Sequence, residues 1–205
     1  MLDLLFPVAV ETLEYRWNGT TIYYPQMVQH SDLHIEQKIN HQIEKKVMQL
    51  IEAQKVQQDI QTFHQMIGLY EIKTNERNVF SLTLTNYAIH EYAAHGLTLK
   101  VGMNFNLETG ENWDLSKQFI PGSDFLSKLT RLVNQQVEMR DFPVFNEPVT
   151  VRSDQDYYIA DKALVLFYQI YDISPYYVGL PMFPISVYEI ENILTDDSLL
   201  SRMLP

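Results

Sequence analysis

"FSLTLTNYAIHEYAAHGLTLKVGMNFNL", Phe80–Leu107, is the stretch on which the fold turns. Phe80, Leu82 and Leu84 alternate with Ser81, Thr83 and Thr85, the period of two that a half-buried strand requires. After Gly96 the alternation resumes, with Leu97, Leu99, Val101, Met103, Phe105 and Leu107 sharing one face. Between the two runs lie His90, Glu91 and His95, one residue away from a zinc-protease signature. That signature needs histidines four apart, so that one helical face offers both to the metal. A separation of five turns them about 140° apart on a helix, at ~100° per residue. On a strand it sends them to opposite faces. The stretch therefore predicts a hairpin with histidines in its turn, and no metal centre.

Other elements follow on either side. "VETLEYRW" alternates, Asn18-Gly19 is a two-residue turn signal, and "TTIYY" completes a first hairpin over Val8–Tyr24. Ser31 or Asp32 can cap a long helix whose stripe is Ile39, Ile43, Val47 and Leu50, fading in the glutamine-rich stretch Ala53–Gln61. "MIGLYEIKT" reads as a strand ending in a turn at Asn75–Asn78, and "ETGEN" turns the chain after Leu107. Pro121-Gly122 introduces a medium helix, with Ser123 as the expected N-cap and Leu126, Leu129, Leu132, Val133 and Val137 facing a core. "DYYIADKALVLFYQIYDIS" reads as two strands joined at Asp161-Lys162. A proline- and tyrosine-rich loop, a short strand at Phe183–Val187 and a small helix near Tyr188–Leu194 complete the chain. Strands dominate without regular βαβ alternation. The expectation is α+β, a largely antiparallel sheet with one long and one medium helix packed on it. Residues 1–120 and 121–205 are expected to form two subdomains sharing one core.

Composition narrows the function classes. The chain has 205 residues, a net charge of −11 and no cysteine. Disulfides, thiolate metal sites and cysteine nucleophiles are excluded. Clustered basic residues are missing, which argues against nucleic acid, while an acidic surface suits a basic protein partner. The first ten residues, "MLDLLFPVAV", carry Asp3 where an export signal is basic, and they are too short to span a bilayer. No export signal, anchor or membrane insertion is expected of this chain, so its sequence alone leaves the compartment open.

Motifs for chemistry are sparse. The glycines never fall as G-x-G, and neither G-K-[ST] nor a G-x-S-x-G elbow occurs. Asp154 and Asp156 begin like a calcium loop but lack its glycine and closing glutamate. His30, His34 and His41 fall within about 40° on one helix, opposite the apolar stripe, and read as an exposed polar face. His64 has no partner at ligand spacing. The remaining feature is "YDISPYYVGLPMFP", Tyr171–Pro184, where prolines and tyrosines make a stiff amphipathic surface that loses little entropy on binding. The opposing expectation is that this loop folds its aromatics onto the end of a sheet.

Several of these stretches carry a family resemblance. "YYPQM", "KINHQI", "FSLTLTNYAIHEYAAHGLT", "NFNLETGENWDLSKQF", "DYYIADKALVLFYQIYDISPYYVG" and "FPISVYEI" occur in that order. Together they resemble the paired domains of unknown function in the extracellular part of the lysozyme-sensing anti-sigma factor RsiV. They are also similar to the non-catalytic N-terminal region of the peptidoglycan deacetylase PdaC. Ala94-His95-Gly96, Thr109-Gly110 and Ile173-Ser174-Pro175-Tyr176 with Gly179 are the most specific pieces. The resemblance implies an extracytoplasmic, non-enzymatic recognition module without a cofactor, whose partner is a basic protein such as lysozyme or a peptidoglycan fragment. It makes Pro175, Tyr176 and Tyr177 the contact candidates. The matching stretches cover neither a sigma-binding segment nor a deacetylase domain, so neither activity is implied. Two alternatives stand beside it: a hydrolase of wall glycan built on paired carboxylates, and a cytoplasmic structural protein.

Overall fold

The computed structural model describes residues 7–205, so the apolar start read above lies largely outside the described residues. The chain is α+β and divides into two compact units, Met1–Asn112 and Trp113–Pro205. Among the described residues no helix is long and apolar enough to cross a membrane.

The first unit is a six-stranded sheet carrying one long helix. β1 (Ala9–Trp17) and β2 (Thr20–Val28) form the hairpin that Asn18-Gly19 announces, with φ of 38° and 77° at the two turn residues. β3 (Gln65–Glu76), β4 (Val79–Ile89), β5 (Leu97–Asn106) and the short β6 (Glu111–Asn112) continue the sheet in order. Every pairing is antiparallel except β2 with β3, which the intervening helix makes parallel. That helix, α1 (Leu33–Gln58), starts where the Asp32 carboxylate accepts the His34 and Ile35 N–H groups, and ends at Asp59 in the left-handed region. Its stripe Ile39, Ile43, Val47 and Leu50 is buried against Phe80, Leu82, Leu84, Leu99, Met103 and Phe105. The hairpin predicted from Phe80–Leu107 is thus the centre of this core.

Two details of this sheet differ from the sequence reading. The Asn75–Asn78 turn is tighter than expected: the strands run on to Glu76 and from Val79, leaving Arg77-Asn78 as a two-residue turn with positive φ at both. The polar face of β4 is also buried. Ser81 Oγ donates to Asn104 Oδ1 at 2.7 Å, and Thr83 Oγ1 donates to Glu71 Oε2 at 3.3 Å. Both are pairs of directly opposed residues, so the register satisfies groups that alternation alone assigns to solvent.

The second unit holds α2 (Phe125–Met139) and a three-stranded antiparallel sheet, β7 (Tyr157–Ala160), β8 (Ala163–Phe167) and β9 (Met182–Ser186), in that order. A short α3 (Val187–Ile190) follows, opened by a capping box between Ser186 and Glu189. Asp124, not Ser123, is the N-cap residue of α2, with no side-chain cap bond. The Ser123 hydroxyl is instead buried without a hydrogen-bond partner. Leu129, Leu132, Val133 and Val137 are buried as expected, and Leu126 is half-buried. Helix α2 also guards the outer edge of β9. Gln136 Nε2 donates to the Pro184 carbonyl at 2.9 Å and Arg140 Nη1 to that of Met182 at 3.0 Å, while Pro184 has no N–H to offer. An edge occupied in this way cannot template another strand.

Candidate functional site

Phe167 pairs with Met182, so the whole of Tyr168–Pro181 is an excursion between adjacent strands β8 and β9. Its base is rigid. Tyr168 is buried, its hydroxyl donates to the Thr150 carbonyl at 3.2 Å, and its ring stands edge-on to Phe183 at 5.9 Å. Burial pushes the Tyr168 phenol up to about 12, so it stays neutral and a donor. Gln169 N–H reaches Asp172 Oδ2 at 3.1 Å, and Gln169 Nε2 reaches Asp156 Oδ2 at 3.0 Å. Pro175–Val178 forms one 3-10 turn, closed by the Val178 N–H on the Pro175 carbonyl at 3.0 Å and ended at Gly179 with φ 78°. Ser174 beneath it is fully buried, and its hydroxyl has no hydrogen-bond partner.

On this base the aromatics divide. Tyr177 is 78% exposed and Tyr171 50% exposed, whereas Pro175 and Tyr176 are half-buried. The Tyr171 and Tyr176 rings lie 5.7 Å apart, and Tyr171 holds a φ of 72° that a tyrosine rarely adopts. The ends of the loop therefore fold onto the sheet, and its crest presents tyrosine to solvent. Of the three residues singled out from sequence, Tyr177 is the most exposed.

Phe145 is what the sequence reading missed. Its N–H donates to the Ile173 carbonyl at 2.8 Å, which lays the 142–147 segment against the loop, and its ring is 52% exposed. The same segment walls a groove of about 590 Å³ lined by Asn134, Val137, Glu138, Asp141, Phe142, Glu147 and Pro148. Three carboxylates thus open beside an exposed aromatic crest. Asn134 fixes the wall, donating Nδ2 to the Val149 carbonyl at 2.7 Å and accepting the Val149 N–H at 2.9 Å. Thr130 Oγ1 accepts the Val151 N–H at 3.1 Å one turn earlier. A phenylalanine between Pro143 and Pro148 was the only available signal, and nothing in the sequence tied it to residue 173.

The histidines fall elsewhere. His90 and His95 lie in the β4–β5 loop, their Nδ1 atoms on the carbonyls of Glu91 and Gly96 at 2.8 and 3.2 Å. His34 and His41 are exposed on α1, but His30 is buried, which corrects the expectation of one exposed histidine face. It precedes the helix, and its Nδ1 accepts the Asp32 N–H at 3.0 Å. Among the described residues no group of three or more His, Asp or Glu side chains is placed to hold a metal ion.

Residues 118–188, all within the second unit and including the aromatic loop, match the family described as a protein of unknown function (DUF3298). No curated protein matches the chain. Two solved structures are similar over nearly the whole length. A DUF3298 family protein from Pseudomonas aeruginosa PAO1 gives a TM-score of 0.73 at 13% identity, covering 99% of each chain. A member of the DUF3298 family from Bacteroides fragilis NCTC 9343 gives 0.71 at 14% identity, covering 96% of this chain and 97% of that one. At such identities the likeness establishes a shared fold.

Proposed function

We propose that this chain is a non-enzymatic recognition module whose second unit grips a basic, wall-directed protein of the lysozyme kind. The observation that carries the reading is the crest formed by Tyr171, Tyr177 and Phe145, held out from a buried base and set beside three carboxylates. Tyrosine and phenylalanine on a stiff backbone make strong anchors because little conformational entropy is lost when they are covered. Carboxylates at the margin steer a cationic partner and set its orientation more than they add affinity. The resemblance of "DISPYYVG" to the lysozyme-sensing module supports the choice of partner, and an extracytoplasmic location goes with it.

Titration of the purified chain with lysozyme at low and high salt tests this. Tyr177→Ala and Phe145→Ala should each weaken binding at least tenfold, about 1.4 kcal/mol, with thermal stability nearly unchanged. Glu138→Gln with Glu147→Gln should chiefly slow association and flatten its salt dependence. The groove also favours one second reading, glycan hydrolysis by paired carboxylates. Release of reducing ends from purified peptidoglycan, lost in Glu138→Gln or Glu147→Gln, would replace the binding reading with that one.

A further inference from the structure

A second surface lies at one end of the first unit's sheet and uses none of the crest or groove residues. The register Trp17↔Thr20, Thr20↔Met66, Met66↔Ala88 and Ala88↔Leu97 runs straight across five strands. At about 4.8 Å per strand, that row is roughly 19 Å long. Beyond it the turns gather. The Asn18-Gly19 tip presses on His64, where a Cβ on Gly19 would lie 2.9 Å from the His64 carbonyl oxygen, and the His64 N–H donates to the Ile89 carbonyl at 2.9 Å. Next come His90 and the loop through Tyr92, and Gly96 lies so close on the Tyr87 ring that a side chain there would overlap it.

Two large aromatics stand out along this rim. Trp17 is 64% exposed, and Tyr92 is 95% exposed with a φ of 68°. A left-handed tyrosine that buries nothing gains no packing in return for its backbone strain, and such strain points to a role outside folding. Two imidazoles lie between them: His64 is exposed, and His90 Nδ1 is held 2.8 Å from the Glu91 carbonyl oxygen. Charge is nearly absent. In a chain of net −11, residues 17–20, 61–66 and 88–98 hold one carboxylate, Glu91, and no lysine or arginine. A rim of this kind does not suit a basic protein or an anionic polymer. Flat indole and phenol faces alternating with hydrogen-bonding imidazoles suit a neutral sugar chain, whose rings offer an apolar face and a hydroxyl edge.

We propose that this rim is a glycan-binding surface, with Trp17 and Tyr92 stacking on pyranose rings and His64 and His90 hydrogen-bonding the hydroxyls between them. It is independent of the protein-binding crest, and the chain would then hold wall glycan and a wall-directed protein on different units. Of the two tryptophans, Trp113 has a buried indole nitrogen, so Trp17 is the solvent-exposed reporter.

The test is tryptophan fluorescence of the full chain titrated with chitohexaose, beside co-sedimentation with purified peptidoglycan sacculi. A saturable change is expected, weakened at least fivefold in Tyr92→Ala, while Tyr177→Ala binds as the parent does. Trp17→Ala, which removes the reporter, is read by co-sedimentation and should no longer pellet with sacculi. Tyr92→Gly should bind as weakly as Tyr92→Ala yet unfold at the same or a higher temperature, since glycine accepts that φ. Absence of saturable binding, or binding indifferent to Trp17 and Tyr92, would overturn the proposal. So would concentration-dependent self-association that the same substitutions remove. The crest's failure to bind lysozyme would leave these readouts unaffected.

Discussion

Asn134→Ala removes one side chain and frees two backbone groups. Val149 is buried, and both its N–H and its carbonyl are satisfied by the Asn134 amide, at 2.9 and 2.7 Å. An unsatisfied buried group costs about 1–3 kcal/mol. Asn134 lines two grooves, of about 590 and 530 Å³, so water can reach the vacated position and the loss belongs at the low end, about 2 kcal/mol. For a chain of this length that lowers the melting temperature by roughly 4–8 °C. The wall bearing Phe145 and Glu147 loses its tether as well, so lysozyme affinity should fall although Asn134 is not proposed as a contact. Urea denaturation gives the stability change, and amide exchange at Val149 and Val151 reports the tether. A loss below about 0.5 kcal/mol with Val149 still protected would refute the reasoning, because the segment would then be held by something other than this amide.

Further consequences concern the first unit. Lys73 and Lys100 hold the Glu71 carboxyl down at about 2, from 4.5, against an opposing contribution from burial. A depressed carboxylate stabilises the fold above its unfolded pKa and loses that contribution as pH falls, so Glu71→Gln should flatten the stability profile between about pH 4.5 and 2. Because Glu71 is more than half exposed, the effect at neutral pH should stay within about 1 kcal/mol, measured by urea titration across that range. At Gly68 a Cβ would lie 2.9 Å from the Ile22 Cβ, so Gly68→Ala should cost about 1–3 kcal/mol through overpacking. In an Ile22→Ala background, which removes the crowding γ-carbons but keeps the Cβ, the same change should cost measurably less, which a double-mutant cycle measures directly.

How far the sequence carried differs from element to element. Ile39, Ile43, Val47 and Leu50 repeat at helical spacing and Phe80–Leu107 repeats in twos, so the first unit's core was visible in local periodicity. Asn18-Gly19 and Asp161-Lys162 marked their turns because positive φ restricts residue choice. Burial of Ser81, Thr83 and Asn104 was not visible, since a polar residue on the alternate face reads as solvent-facing until its cross-strand partner is known. The parallel β2–β3 pairing is likewise a consequence of where α1 returns the chain, which no local pattern encodes. At the candidate site, composition located the loop and Tyr177. Phe145 and the three groove carboxylates come from a segment some thirty residues earlier, which the Phe145 N–H to Ile173 carbonyl bond joins to the loop.

Amide hydrogen exchange of the chain with and without saturating lysozyme addresses the crest most directly. Slower exchange is expected across residues 141–147 and 171–179, with the rest of the second unit unchanged. Full complex formation with those two segments exchanging as in the free chain, or no complex at all, would contradict the assignment of that surface.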